Sequence, residues 1–203
     1  MTHTLNSFKL TVDARELTFH TRPGVFSHDG PDPGTLLLLE TVLPEIRPHQ
    51  TVLDLGCGAG ILGLAVAGRL TRGEVWLVDS DIRAVRLAEE NRRLNRIENA
   101  HVELSDITSD LPHIRFDLVI SNPPTHSGKE VLSTFVEEAF AVLRPGGKLY
   151  LVVNRLLSVR DTLHSVFGNV EQANRKKGFI ILRSARPRPR RAGQLTDRPA
   201  EAQ

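Results

Sequence analysis

Asn122-Pro123-Pro124 follows the apolar run 116–121, and its residue types suit one task. A carboxamide and proline-fixed carbonyls at the carboxyl end of a strand form a rigid set of hydrogen-bond acceptors. Proline at 123 fixes φ, and Pro124 biases Pro123 towards extended geometry, so the Pro123 carbonyl is held in place. The Asn122 side-chain oxygen and that carbonyl can each accept one N–H, which orients a planar –NH2 group. A stiff strand-end turn that binds nothing is the alternative.

A second segment, Asp54-Leu-Gly-Cys-Gly-Ala-Gly60, follows the buried apolar run 51–55 and precedes a helical pattern. Gly56, Gly58 and Gly60 permit a tight turn and let a nucleotide-type ligand approach N–H groups at a helix N-terminus. Residues 58–63 also match the dinucleotide fingerprint G-x-G-x-x-G, and Asp79 follows at the spacing of a ribose-binding carboxylate. Three features weigh against a dinucleotide. Asp54 would repel a pyrophosphate but could engage a cationic amino group, directly or through water. The chain has no second domain to carry a hydride acceptor. Asp106, just after the third strand of the alternating region, suits an adenine amino group. S-adenosylmethionine answers to all three. Beside the amine-orienting acceptors, its methyl group implies transfer to an amino nitrogen, a reaction that needs in-line positioning more than a general base.

These residues need a frame that brings strand ends together. From residue 51, strands (51–55, 74–78, 101–104, 116–121, 148–153) alternate with helices (61–70, 81–95, 130–143, 158–166), the pattern of a parallel sheet with helices on both faces. Asp81 is the expected N-cap of the second of these helices, with Ile82, Val85 and Ala88 on its inner face. Residues 8–20 read as a hairpin turning at Asp13-Ala14, 22–34 as an ordered loop and 35–43 as a short helix. Segments 170–173 and 179–183 read as a closing hairpin around Arg175-Lys-Lys-Gly178.

The combination of Asp54–Gly60, Asp79, Asp106 and Asn122-Pro-Pro124 resembles the class I S-adenosylmethionine-dependent methyltransferases across residues 50–183. Residues 23–39 (PGVFSHDGPDPGTLLLL) resemble the segment before the cofactor site in the methyltransferase small family, whose best-known members are the C-type small-subunit ribosomal RNA guanine-N2 methyltransferases. The resemblance implies an α/β, doubly wound, mostly parallel seven-stranded sheet of the Rossmann-like methyltransferase type, with a closing antiparallel hairpin and a small N-terminal hairpin. It implies ribose contacts from Asp79 with Ser80 beside it, and adenine contacts from Asp106 and Ile107. Phe26, Ser27 and Gly56 would surround the methionine end. Thr125 departs from the pattern, since many amino-methyltransferases carry a base-stacking aromatic there; His126 or Phe179 are the candidates to replace it.

The 203 residues carry a net charge of +2, but residues 183–203 alone hold six arginines and two acids. The remainder is slightly acidic, so an RNA partner is permitted by charge and not demanded by it. Expected boundaries are one methyltransferase domain over 1–183 (1–34 hairpin and cofactor-side loop, 35–183 core) and a basic disordered tail over 184–203. One cysteine, no apolar run of membrane-spanning length and no signal-peptide pattern imply a cytoplasmic protein; Cys57 and the histidines suggest no metal site. The C-type enzymes carry a further N-terminal domain that this sequence lacks, so RNA recognition is expected from this domain, its tail or a second subunit. Glutamine-amide methylation of a protein is the runner-up reading, and a non-catalytic RNA-binding module is the alternative of another class.

Overall fold

The computed structural model describes residues 6–25, 30–123, 129–153 and 157–189. Strands β1 (Asn6–Val12) and β2 (Arg15–Thr21) form a two-stranded antiparallel sheet. The main sheet contains β3 (Thr51–Leu55), β4 (Glu74–Asp79), β5 (Ala100–Leu104), β6 (Phe116–Ser121), β7 (Leu143–Val153), β8 (Glu171–Lys176) and β9 (Phe179–Ala185). Its order is β5-β4-β3-β6-β7-β9-β8; β3 to β7 are parallel, and β9 runs antiparallel to both neighbours. Helices are α1 (Pro33–Val42), α2 (Ile61–Ala67), α3 (Ile82–Leu94), α4 (Lys129–Val142) and α5 (Leu157–Phe167).

The central strands are apolar on both faces because both are covered. Val52, Leu77, Leu118 and Ile120 pack with α1, α2 and α3, whereas Leu53, Leu55, Val78 and Val119 pack with α4 and α5. Winding proceeds from β3 to β4 and β5 on one side, and from β6 to β7 on the other. The reversal leaves a crevice beyond the carboxyl ends of β3 and β6, where ligands bind in sheets of this kind.

The N-terminal hairpin is joined to this frame by side chains that imitate a strand. Asn91 of α3 accepts from His20 N (2.7 Å) and donates to His20 O (3.0 Å); Asn95, one turn later, does the same for Thr18 N and O (2.8 and 2.7 Å). The outer edge of β2 is thereby satisfied without another strand. Buried Asn91 also donates to Ala59 O in the glycine turn (2.9 Å), linking the hairpin to the candidate site.

Several expectations shift; β7 already begins at Leu143, five residues before the expected strand 148–153. The inner face of α3 is Ala84, Leu87, Ala88 and Asn91, with Ile82 exposed, because the helix packs against β2, β4 and β5. α2 ends at Ala67, earlier than position 70, though Leu70 stays buried. The tail does not begin at 184. β9 continues through Ala185, and Arg186 exchanges backbone hydrogen bonds with Gly146 and Gly147 (2.8 Å each). The Arg186 guanidinium donates to Phe140 O, Ala141 O and Leu143 O (3.0, 3.1 and 2.6 Å) and lies over the Phe140 ring, so a cation caps α4 where the tail lacks apolar residues. Among the described residues, no helix is long and apolar enough to cross a membrane.

Replacing Asn91 with Ala leaves three backbone groups without partners and should destabilise the fold by about 1–3 kcal/mol. Urea denaturation would measure this, and hydrogen exchange should show the His20 amide opening well before the central sheet.

Candidate active site

The turn after β3 has few side chains of its own, and its backbone is held from outside. Gly56 N and Cys57 N both donate to Val78 O (2.9 Å each), Gly58 N donates to Asp79 Oδ2 (2.9 Å) and Gly60 N to Cys57 O (2.9 Å). Gly60 has φ +80°, and a Cβ there would meet Ala88 at 3.1 Å, so both the left-handed turn and the approach of α3 require glycine. These four N–H groups are thus engaged within the protein, whereas the sequence reading offered turn N–H groups to a ligand.

Asp54 lies beneath this turn. Strand alternation points it at α2, where it is fully buried and its Oδ2 accepts from Gly63 N (2.8 Å). Its Oδ1 has no hydrogen-bond partner. Burial raises its pKa from 3.8 to about 7; the Gly63 amide opposes this and the nearby Asp79 adds to it.

A cavity of about 440 Å³ opens beyond the ends of β3 to β6. Gly56, Gly58, Asp79, Ser80, Asp106, Ile107, Asn122 and Pro123, all singled out in the sequence, line it. Asp54 and Gly60 do not; they shape the turn from behind. Phe26, Ser27 and Pro124, with Thr125 and His126, lie outside the described residues. Phe179 packs half-buried against Gly34 at the start of α1. Sequence reasoning missed the apolar wall: Val25, Val78 and Ala84, together with Val131, Leu132 and Phe135 of α4. The apolar spacing of α4 reads simply as core, and its first two turns reach past the sheet into the cavity.

The lining is apolar and acidic. Asp79 Oδ1 accepts from Asp81 N (2.9 Å), so each Asp79 oxygen holds one backbone N–H and keeps a lone pair for a further donor. Ile107, a β-branched residue, sits at φ +56°, a strained conformation costing on the order of 1–3 kcal/mol. The adjoining Thr108 hydroxyl donates to Glu138, tying this loop to α4.

Asn122 closes the opposite wall and is buried. Its Nδ2 donates to Asp32 Oδ2 and to Thr35 Oγ1 (2.9 Å), both in the first turn of α1. Ser121 Oγ donates to Leu55 O (2.7 Å), fixing the end of β6 to the end of β3.

Residues 16–183 match the family model described as the methyltransferase small domain. The chain belongs to that family. A ribosomal RNA small subunit methyltransferase C from Erwinia tasmaniensis is 36% identical over 177 residues, covering 85% of this chain and 51% of the relative. A ribosomal RNA large subunit methyltransferase G from Streptomyces avermitilis is 35% identical over 179 residues, 86% of this chain and 46% of the relative. Among solved structures, the T. thermophilus 16S rRNA N2 methyltransferase RsmC, in complex with AdoMet and guanosine, superposes with a TM-score of 0.81 at 33% identity. That match covers 90% of this chain and 50% of the other. The chain spans about half the length of the curated relatives it matches. The sheet order, closing hairpin and small N-terminal hairpin are those expected of this Rossmann-like methyltransferase fold.

Asp54 gives a pH test. The folded protein keeps its proton up to about pH 7, whereas the unfolded chain releases it near 3.8, so unfolding releases a proton between those values. Its contribution to stability is highest below pH 4, falls as pH rises towards 7 and is flat above. Asp54→Asn removes this titration. The stability of the wild type relative to the variant should fall between pH 4 and 7, by at most about 1.4 kcal/mol per pH unit. Parallel urea-denaturation curves across that range would contradict the buried, protonated carboxyl.

Proposed function

We propose that this chain binds S-adenosylmethionine in the cavity and transfers its methyl group to the exocyclic N2 of a guanine in ribosomal RNA, with the small subunit as first target. The observation that carries this reading is the orientation of Asn122: both hydrogens of its carboxamide are engaged, so the group it can offer the cavity is an acceptor. An acceptor is what an amine substrate needs.

The lining fits the cofactor. Gly56, Cys57, Gly58 and Gly60 have their N–H groups engaged, and Asp79, Asp81 and Asp106 face the space, so a pyrophosphate would meet carboxylates and few donors. Hydroxyl and amino groups would instead meet acceptors. Asp79, with Ser80 beside it, holds the ribose hydroxyls, and Asp106 accepts from the adenine amine. Val78, Ile107, Leu132 and Phe135 supply apolar surface for its ring. Gly56 and Gly58 admit the methionine end, with Phe26 and Ser27 assigned to that end by family pattern. Asp54 acts through the turn it supports. When bound, S-adenosylmethionine supplies an electrophilic methyl group on a sulfonium.

Asn122 and Pro123 act on the other reactant. Their two oxygens accept the two N–H groups of the amine, draw its nitrogen out of conjugation and aim the lone pair into the cavity, with Pro124 stiffening the Pro123 carbonyl. The proton on the product nitrogen leaves to water after transfer. A guanine within a duplex must first be flipped out. Residues 1–183 serve as the catalytic domain, extended by the ordered start of the tail, and the setting is cytoplasmic, where ribosomal substrates reside.

The test is transfer of labelled methyl from S-adenosylmethionine into undermethylated small and large ribosomal subunits and cell protein, followed by nuclease or protease digestion. Both subunits are included because relatives of both kinds match. Label in N2-methylguanosine of the small subunit is expected; label in the large subunit moves the target, and label released by protease would replace the reading with amide methylation. Asn122→Ala should lower kcat on the order of 10²-fold or more with cofactor affinity retained. An unchanged kcat would remove the carboxamide from the mechanism.

A further inference from the structure

We propose that Asp32 and Thr35 are positioning residues that hold the Asn122 carboxamide in the orientation that turns its oxygen, rather than its –NH2, towards the reacting amine. The inference rests on the reading that Asn122 accepts from that amine, and it names the groups that make acceptance obligatory.

A carboxamide can sit either way round in a pocket of its own shape, and the two orientations are chemically opposite. Here the neighbours choose. Asn122 Nδ2 has two hydrogens, one directed at Asp32 Oδ2 and one at Thr35 Oγ1 (2.9 Å). The Thr35 hydroxyl proton is itself donated to Asp32 Oδ2 (2.8 Å), so Oγ1 meets Asn122 with lone pairs only. Asp32 cannot rotate away, because Oδ1 accepts from Gly34 N (2.9 Å) and Oδ2 from Thr35 N (3.0 Å) as the N-cap of α1. Turning the carboxamide over would set its oxygen against a carboxylate and lose both hydrogen bonds. The carboxylate also polarises the amide, adding negative charge to the oxygen that faces the amine.

The backbone is built to bring the two segments together. A Cβ on Gly34 would lie 2.8 Å from Val152 Cγ1 and 2.9 Å from Phe179 Cδ1, so only glycine lets the first turn of α1 seat against the ends of β7 and β9. That seating puts Asp32 and Thr35 beside the end of β6. Asp32-Pro33-Gly34-Thr35 then reads as cap, first helical residue, close-approach residue and hydroxyl relay.

A cap that merely starts a helix and a cap that orients a catalytic amide predict different results. Asp32→Ser keeps a good N-cap but carries no carboxylate to hold the Asn122 –NH2, so the carboxamide is released to turn either way. The expected result is a kcat lower on the order of 10²-fold, with RNA KM, cofactor Kd and melting temperature near wild type. Thr35→Ser, which keeps the hydroxyl, should exceed Thr35→Val in kcat by about tenfold at comparable stability. The folded ¹⁵N-labelled protein gives a readout independent of turnover: the Asn122 side-chain amide protons should exchange slowly, and Asp32→Ser should speed them.

Wild-type kcat in Asp32→Ser, equal rates in the two Thr35 variants, or fast exchange in the wild type would each overturn the positioning role. Full turnover in Asn122→Ala would instead overturn the reading beneath it, and that result is read from a different variant.

Discussion

The turn between β3 and α2 is held by carboxyl groups near the ends of neighbouring strands. Asp79 at the end of β4 takes Gly58 N, and Asp54 at the end of β3 takes Gly63 N. A glycine-rich segment has too much conformational freedom to hold a ligand-ready shape unaided. With its N–H groups engaged by Val78 O, Cys57 O and Asp79, the turn becomes a rigid floor and ceases to be an anion cradle. The sequence pattern that elsewhere receives a pyrophosphate here has the N–H groups of Gly56, Cys57, Gly58 and Gly60 engaged within the protein. Holding a carboxylate in the apolar layer under the turn has a consequence of its own, the upward shift of Asp54.

Everything that reaches the crevice is tied to that floor. Asn91 connects the floor to the N-terminal hairpin through Ala59 O and the His20 backbone. Ser121 binds the end of β6 to Leu55, so Asn122 leaves the sheet at a fixed distance from Gly56. The first turn of α1 meets Asn122 from the other side, and Glu138 holds the loop containing Ile107 through Thr108. Two walls therefore face each other: an acidic one beyond β4 and β5, and an acceptor-bearing one beyond β6. The proposed methyl transfer would run between a cofactor on the first and an amine on the second.

Much of this was legible in the order of residues, and what was not has physical reasons. The bounds 51–55 and 116–121 were read correctly because strands buried on both faces are predominantly apolar, Asp54 and Asp117 apart, and are followed by Gly56 and Asn122. Asp79, Asp106 and Asn122 could be placed at the cavity from sequence because they follow or end strands of such a sheet. The inner face of α3 was misjudged, since Ile82 is apolar yet lies beyond the packed turns, while polar Asn91 is buried by hydrogen bonding to a strand edge. Asp32 read as one more turn residue among prolines and glycines; its partner stands 90 positions away, a pairing that no local pattern carries. Arg186 read as tail because an arginine that caps a helix looks the same in sequence as one in solvent.

The most direct measurement of the central claim is calorimetric titration of the ligand-free protein with S-adenosylmethionine and, separately, with NAD. Saturable one-to-one binding of S-adenosylmethionine, lost in Asp79→Ala and retained in Asn122→Ala, is the predicted result, with no heat from NAD. Binding of NAD in its place, or S-adenosylmethionine binding untouched by Asp79→Ala, would contradict the assignment of the two walls.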